Sequence, residues 1–301
     1  MFVDMLGKSR LKLGLHTHTT QSDGRVSPEE AALIYAKEGY DAIAITDHWV
    51  YGEEREIEGL KILPGCEYNF GEGNTKNGVF HIVGLGMTSD PGVPSDWKNM
   101  IRTSTQKAAE AARMIRKHNG IAVLAHPAWS LNNHNQILNM GEFDALEIYN
   151  SVSDWGMSDR AYSGLIADML ATEGRIVPLL AVDDTHYYNG DQCRGMIMVE
   201  ATDFDCQAIM RAIKAGRFYS TQGPEIHISL VGTDKVKVVC SPAKKIAFFS
   251  NLAWTNGRIQ RGENLIEAVY HINPDETYVR AEVTDADGRM AWSNIIDLSQ
   301  I

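Results

Sequence analysis

The stretch Asp41-Ala42-Ile43-Ala44-Ile45-Thr46-Asp47-His48 decides the fold, because it shows the pattern that recurs along the chain. In it, a short apolar run is followed by a charged Asp and a His. A run of this length between polar residues is typical of a strand buried on both faces of a parallel sheet. Six similar runs lie at 11–15, 62–65, 79–84, 122–125, 145–149 and 176–182. Together with residues 42–46, they predict seven buried parallel strands.

Helix signals lie between these runs. Ser27-Pro28-Glu29-Glu30 supplies an N-cap, a proline at the first helical position and a capping-box glutamate. Three further helices, each followed or ended by a glycine stop, are predicted at 104–118, 157–173 and 204–215. Alternating strands and helices predict an α/β fold, and seven strands favour a TIM-like barrel over an open sheet. The sequence has no GxGxxG motif and no P-loop, which argues against a nucleotide-binding doubly wound sheet.

The pattern changes at Gly223-Pro224, where helical periodicity stops. Six short strands separated by turn sequences are predicted at 225–231, 235–239, 245–250, 267–272, 278–284 and 294–298. We therefore predict a catalytic domain over residues 1–222 and a small all-β sandwich domain over residues 223–301.

Composition limits the classes of protein that fit. The 301 residues include 28 Lys and Arg and 39 Asp and Glu, which gives a net charge of −11. This field disfavours a nucleic acid polymer as partner. No apolar run approaches the length of about 20 residues that spans a membrane as a helix. Four cysteines without a CxxC pair, and no visible signal peptide, predict a reduced cytoplasmic protein.

Histidine and carboxylate side chains gather where the predicted strands end. His16 and His18 share one face of an extended chain and can reach one ion, although such a pair is a weak signal by itself. Five further strands carry histidine or carboxylate side chains, and the candidate metal ligands from this pattern are His16, His18, His48, Glu67, His81, His126, Asp184 and His186. Asp23, in Ser22-Asp23-Gly24, is by itself only a turn signal. Barrel strands meet with their carboxyl ends at one face, where active sites lie. The clustering therefore predicts a metal centre.

Several of these motifs resemble those of the PHP (polymerase and histidinol phosphatase) superfamily. They are His16-x-His18, Thr46-Asp47-His48, Gly65-Cys66-Glu67, Ala125-His126-Pro127 and Asp184-x-His186, and the similarity covers about residues 10–220. The segments 280–283 and 291–294 resemble the β-domain that ends carbaryl-hydrolase-like (CehA/McbA-type) metallohydrolases. The resemblance implies a distorted (β/α)7 barrel with two or three divalent ions, typically manganese, iron or zinc.

The same resemblance implies a ligand set for each ion. The first ion takes His16, His18, Glu67 and Asp184, the second takes Glu67, His81 and His126, and the third takes Asp23, His48 and His186. The placement of His81 rests on spacing rather than on a strong local motif. Asp183 is the weaker ligand candidate, since it alternates with Asp184 and faces the opposite side of an extended chain.

Four more residues are candidates for catalysis. Asp47 has two possible functional roles, orienting a ligand or carrying a proton. The alternative is that it only caps the end of a strand. Glu147 and Asn150 end the sixth strand. Either they contact the substrate or residues that surround the metal ligands, or they only pack there. Arg194 either holds a phosphate or is a solvated surface residue. Trp129, Tyr187 and Tyr188 flank metal motifs and are candidates for an apolar wall.

The implied ions predict a metal-dependent hydrolase. A water bridging divalent ions loses a proton near neutral pH and can attack phosphorus. We therefore predict a phosphoesterase, acting on a phosphoric monoester or diester of a small molecule. The main alternative is a metal-dependent carboxyl ester or carbamate hydrolase of the carbaryl-hydrolase type. A nuclease lacks support because the chain has no basic tracts, and a non-enzymatic binding module is the remaining alternative.

Overall fold

Two β-sheets and five α-helices form the described part of the chain, which comprises residues 1–71, 78–99, 103–201 and 203–299 of a computed structural model. The helices are α1 (Pro28–Lys37), α2 (Ser104–Lys117), α3 (His134–Met140), α4 (Gly164–Thr172) and α5 (Cys206–Lys214). A 3₁₀ turn at Ser95–Asn99 precedes α2, and a π-helical turn at Ser153–Met157 precedes α4. Among the described residues, none of the helices combines the length and apolarity needed to cross a bilayer.

The strands before residue 222 are β1 (Phe2–Val3), β2 (Ser9–Gly14), β3 (Ala42–Ala44), β4 (Arg55–Ile57), β5 (Leu60–Leu63), β6 (Gly65–Phe70), β7 (Phe80–Leu85), β8 (Ile121–Leu124), β9 (Ala145–Asn150), β10 (Leu179–Val182), β11 (Met196–Val199) and β12 (Phe218–Thr221). The later strands are β13 (Ile226–Val231), β14 (Lys235–Phe249), β15 (Ile259–His271), β16 (Tyr278–Thr284), β17 (Met290–Trp292) and β18 (Ile296–Asp297). This order of strands and helices is the mixed α/β fold that the sequence predicts.

The strands form a large first sheet and a smaller second sheet. The first sheet has the order β13-β14-β16-β17-β12-β11-β2-β3-β5-β4, with β1 on β2, β15 on β14 and β18 on β16. The second sheet has the order β10-β9-β8-β7-β6. Strands β3, β8 and β10 consist entirely of buried residues. Side chains of both sheets pack in one core cluster that includes Leu13, Ala44, Val123 and Leu180.

The two sheets meet where β2, β3 and β10 end. An isolated parallel bridge pairs Thr17 with Thr185, and another pairs His48 with Glu67. The His18 N–H donates to the Thr185 carbonyl oxygen at 2.9 Å, and the Trp49 N–H donates to the Glu67 carbonyl oxygen at 2.9 Å. These backbone contacts bring the segments that carry the candidate metal ligands to one place.

The predicted parallel pairing is wrong for part of the second sheet. Strands β2, β3 and β5 are parallel, as are β8, β9 and β10, but β6, β7 and β8 pair antiparallel. The prediction also misses β6 itself, so Glu67 lies inside a strand rather than behind the end of one. Pro64 interrupts the apolar run, and β6 begins directly after it at Gly65, which hides the second strand in the sequence pattern.

Two strands and two helix starts also differ from the predictions. Strands β11 and β12 were not predicted from the sequence. In the structure, β11 pairs with β2 and β12 pairs with β11 in the first sheet. The helix predicted over 157–173 begins only at Gly164, because Tyr149 and Tyr162 form a β-bridge that holds the preceding segment extended. Helix α5 begins at Cys206, where Asp205 is the N-cap. The capping box at Ser27 and Glu30 is confirmed for α1.

The strands after residue 222 continue the first sheet. Strand β17 pairs antiparallel with β12, so the sheet is continuous across the predicted domain boundary. The strands predicted at 235–239 and 245–250 are one strand, β14, with irregular pairing to β15 between Val239 and Lys245. Pro242 lies in that irregular segment, as expected of a residue without an N–H for a ladder hydrogen bond.

A buried arginine ties α4 to these strands. Arg280 on β16 is fully buried, and its Nε and Nη2 each lie 2.7 Å from a carboxylate oxygen of Asp168 on α4. Its Nη1 also donates to Glu282, which receives a hydrogen bond from Tyr162 as well. These charge-assisted contacts connect helix α4 to the strands that follow residue 222.

Candidate metal centre

Four buried side chains form the first ligand group, at the junction of the two sheets. His16 and His18 follow β2, Asp184 follows β10 and Glu67 lies on β6. The Nε2 atoms of His16 and His18 lie 3.3 and 3.0 Å from Oε2 of Glu67, and 3.1 and 3.2 Å from Oδ1 of Asp184. The four ligand atoms lie within 4.8 Å of one another, which is compact enough to surround one ion.

The second group is built around the other oxygen of Glu67. His81 on β7 places Nδ1 2.9 Å from Oε1 of Glu67, and His126 after β8 places Nε2 3.5 Å from the same oxygen. His81 lies opposite Asn69 in the β6–β7 pairing, so β7 directs it to the same side as Glu67. The antiparallel β6–β7 pair therefore supplies two ligands of this group, and His126 supplies the third.

The third group lies nearer the solvent. Asp23 has a side chain that is 55% exposed, and its carboxylate lies 3.5 Å from Nδ1 of His18, 3.7 Å from Nε2 of His48 and 3.5 Å from Nε2 of His186. His18 thus presents Nε2 to the first group and Nδ1 to the third. The resemblance implied a third ion held by Asp23, His48 and His186. In the structure, His18 also belongs to this group.

Charges within the cluster shift the pKa values of its members. Burial alone would raise the pKa of Glu67, but the neighbouring His48, His16 and His81 lower it well below its usual range. Burial also works against ionisation of Asp184, yet His16 and His18 lower its pKa. Burial disfavours the charged form of His18, but the two carboxylates raise its pKa to about 9. The carboxylates are therefore ionised at neutral pH and attract positive charge to the centre.

Unpartnered atoms also point to a metal. Within the described residues, Oδ1 of Asp184 and Nδ1 of His48 are buried and have no hydrogen-bond partner, although both lie close to other ligand atoms. A buried polar atom without a partner is costly, so native structures seldom leave one unexplained. Mixed imidazole and carboxylate donors suit manganese, iron and zinc. The residues present therefore fit divalent metal ions.

Glu147 and Asn150, both on β9, contact candidate ligands directly. Oε1 of Glu147 lies 2.7 Å from Nδ1 of His16, and Oε2 accepts hydrogen bonds from the His126 N–H at 2.8 Å and from Nδ2 of Asn150 at 3.0 Å. Nδ2 of Asn150 also donates to Oδ2 of Asp184 at 3.1 Å. The contact with Glu147 fixes which ring nitrogen of His16 faces the first group.

Asp47 supports the turn that carries Asp23. Its carboxylate accepts hydrogen bonds from the Thr19 N–H at 2.8 Å, the Thr19 hydroxyl at 2.6 Å and the Ser22 hydroxyl at 2.6 Å. The turn is tight, since a Cβ at Gly24 would lie 2.4 Å from the carbonyl carbon of His18. Asp47 therefore contacts the loop around the third group and does not line the cavity above the ligands.

We expect Asp47→Ala to weaken metal binding by about 10- to 100-fold, which is the usual effect of losing a group that orients ligands. The change removes three hydrogen bonds to Thr19 and Ser22 and releases the loop that holds Asp23. Isothermal titration calorimetry of the metal-free protein with manganese measures this affinity. Asp47→Asn keeps an acceptor oxygen and should lie closer to the wild type. Unchanged affinity in Asp47→Ala would show that the turn holds without this carboxylate.

The structure does not bring Arg194 to the ligand groups. Its guanidinium lies 5.5 Å from the centroid of the Trp155 ring and donates to the Gly190 carbonyl oxygen at 3.4 Å. The backbone N–H of Arg194 donates to Asp183, which also accepts hydrogen bonds from the N–H groups of the two flanking residues. Asp183 thus faces away from the centre, as its spacing predicts, and anchors the loop with the arginine side chain in a separate cleft.

A cavity of about 290 Å³ lies over the three groups. It is lined by Asp23, His48, Glu67, Asn69, Val79, His81, His126, Trp129, Met157, Asp184 and His186. The Trp129 ring centroid lies 4.9 Å from that of His126 and 5.7 Å from that of His81, so this part of the predicted apolar wall borders the site. The sequence did not predict Asn69, Val79 and Met157 as residues that line the site. Asn69 would have been found from its i+2 spacing to Glu67 if β6 had been predicted.

Comparison with known proteins supports the fold. A two-domain protein of Bacteroides vulgatus, described as containing a predicted PHP-like metal-dependent phosphoesterase, matches with a TM-score of 0.54 and 14% identity over 98% of each chain. An amidohydrolase of Chromobacterium violaceum with bound sulfate and no metal has a TM-score of 0.42 and 17% identity, over 60% of this chain and 89% of its own. A Bifidobacterium adolescentis protein assigned as a metal-dependent phosphoesterase has a TM-score of 0.38 and 15% identity, over 58% of this chain and 87% of its own.

Only the first of these similarities exceeds a TM-score of 0.5, so the shared fold rests on it. No protein-family model and no curated protein matches the chain. At 14% identity this similarity shows a shared fold, so the chain has the fold of the two-domain Bacteroides vulgatus protein.

Proposed function

We propose that the chain is a phosphoesterase that uses two or three divalent ions to hydrolyse a small phosphorylated substrate. The observation that carries the proposal is the sharing of ligands, because Glu67 belongs to two of the three groups and His18 links the first to the third. When bound at such a centre, divalent ions lower the pKa of water and neutralise charge that develops on an ester during hydrolysis. Manganese, iron and zinc all suit these ligands.

The residues around the ligands have the positions needed for orienting roles. We assign an orienting role to each of these residues. Glu147 orients His16, Asn150 orients Asp184, and Asp47 holds the turn that carries Asp23, so that the ligand atoms stay in place. Trp129, Val79 and Met157 border the cavity with apolar surface that excludes water beside the ions. The cavity volume of about 290 Å³ supports a small substrate rather than a polymer.

The finer architecture is part of the same proposal. The bridges Thr17–Thr185 and His48–Glu67 join both edges of the second sheet to the first, which supports a distorted (β/α)7 barrel over residues 1–222. We assign residues 223–301 to a β-domain of the carbaryl-hydrolase-like type, whose strands extend the first sheet through the β12–β17 pair.

Loading the protein with manganese should enable hydrolysis of a phosphate ester, and chelation should abolish it. The direct test is a panel of p-nitrophenyl phosphate, bis-p-nitrophenyl phosphate, p-nitrophenyl acetate and a naphthyl carbamate, each with manganese, iron or zinc. We expect turnover of a phosphoester with at least one metal. Turnover of only the acetate or the carbamate would transfer the proposal to carboxyl ester or carbamate hydrolysis.

Metal removal should also lower thermal stability, because ions that bind only the folded state stabilise it by mass action. In the metal-free protein the buried acidic ligands Glu67 and Asp184 lose the positive charge of the ions. Differential scanning fluorimetry before and after chelation measures the change, and adding manganese back should restore the transition temperature. An unchanged transition temperature in both steps would contradict a metal centre at this position.

A further inference from the structure

Trp49 and Asn69 form a hydrogen-bonded pair beside the metal centre. Trp49 directly follows His48 and has a left-handed backbone with φ of 61°, which is uncommon for a bulky residue. Its N–H donates to the Glu67 carbonyl oxygen at 2.9 Å, and its indole Nε1 donates to Oδ1 of Asn69 at 2.5 Å. The bridge between His48 and Glu67 therefore holds the backbone of Trp49 beside β6, and the indole orients the amide of Asn69.

The indole determines which end of the amide is free. An indole N–H can only donate, so it must contact the oxygen of Asn69 rather than the nitrogen. The amide nitrogen, Nδ2, then keeps two N–H donors. Among the residues that the structure describes, Nδ2 has no hydrogen-bond partner, and Asn69 lines the cavity.

Asn69 also lies beside the second ligand group. It follows Glu67 by two positions on β6 and therefore lies on the same face of the strand. It pairs across the sheet with His81, which belongs to the second ligand group. The polar side chains that line the cavity are otherwise the acidic and histidine ligands, apart from the indole of Trp129.

We propose that Asn69 is a substrate-binding residue whose Nδ2 donates a hydrogen bond to a phosphoryl oxygen that does not contact a metal ion. Trp49 is the positioning residue that holds the amide for this contact. The inference rests on the proposed function, since it takes a phosphorylated substrate as given. A neutral amide at this position can donate to a phosphoryl oxygen without changing the charge of the site.

The test measures binding of inorganic phosphate to the manganese-loaded protein by calorimetry, with kcat and KM for p-nitrophenyl phosphate as a second readout. Asn69→Ala and Asn69→Asp both remove the donor, and the Asp variant keeps an acceptor for the indole. We expect each to weaken phosphate binding by at least about 10-fold, as loss of a hydrogen bond to a charged group does. Manganese content should stay at the wild-type value, and Asn139→Ala on the exposed face of α3 is the matched control.

Trp49→Phe tests the positioning role, because phenylalanine keeps a ring but lacks the indole N–H. It should weaken phosphate binding in the wild-type background and have no further effect in the Asn69→Ala background, as expected when one residue acts through the other. Additive effects of the two changes would overturn the role of Trp49.

Each remaining outcome decides the proposal. Phosphate binding within twofold of wild type in Asn69→Ala would overturn it, and so would loss of manganese from both Asn69 variants. In either case the proposed function stands if the wild-type protein hydrolyses a phosphoester. A wild-type protein that neither binds phosphate nor hydrolyses any phosphoester would overturn both.

Discussion

The variant Glu67→Gln is expected to lose metal from two of the three ligand groups and to lower kcat/KM by at least about 10²-fold. The two carboxylate oxygens of Glu67 face different groups, with Oε2 3.0 Å from Nε2 of His18 and Oε1 2.9 Å from Nδ1 of His81. Glutamine has the same shape but no charge, and its amide nitrogen cannot bind a cation. One substitution therefore affects both groups without opening a cavity.

Metal content by mass spectrometry and steady-state kinetics on a phosphoester measure this effect. Glu173→Gln removes the same charge at an exposed position after α4 and should match the wild type in both measurements. Full metal content and activity in Glu67→Gln would contradict the assignment of Glu67 as a shared ligand. His18→Ala should act similarly, because His18 links the first and third groups.

The variant Arg280→Met is expected to destabilise the protein by about 3–5 kcal/mol, the usual effect of breaking a buried ion pair from one side. The guanidinium is fully buried, and both of its acidic partners would be left without a counter-charge. Asp168 lies on α4 and Glu282 on β16, so the loss releases the helix from the strands after residue 222.

Urea unfolding with a measured free energy of unfolding tests this prediction. Arg289→Met removes a second arginine, whose side chain is 55% exposed and pairs with Asp285 and Asp287, and should cost about 1 kcal/mol or less. Arg280→Lys keeps the charge but loses the planar fork, and should fall between wild type and Arg280→Met. Equal stability losses for Arg280→Met and Arg289→Met would contradict the account of the buried pair.

Most of the candidate ligands could be proposed from the sequence because they follow the ends of short apolar runs. His16, His48, His126 and Asp184 each come directly or shortly after a buried strand, and the structure brings them to one end of the two sheets. A histidine or an acidic residue directly after an apolar run is a pattern that can be recognised from a few neighbouring residues. It does not depend on knowing which strands are neighbours.

The remaining features depend on contacts between distant residues. The antiparallel pairing of β6 with β7 lies outside any local pattern, and it places His81 opposite Asn69. The side-chain direction of Arg194 follows from the hydrogen bonds that Asp183 accepts from its loop, which the spacing of the motif does not reveal. The ion pair between Arg280 and Asp168 joins residues that are 112 positions apart, so no local pattern contains it.

The central claim is that nine side chains form a centre for two or three divalent ions. The most direct measurement is the metal content of the protein after loading with manganese and removal of weakly bound ions, combined with anomalous diffraction at the manganese edge. We expect two or three manganese ions per chain, located at the three ligand groups around Glu67 and His18. Fewer than one ion per chain, or ions located elsewhere, would contradict the account.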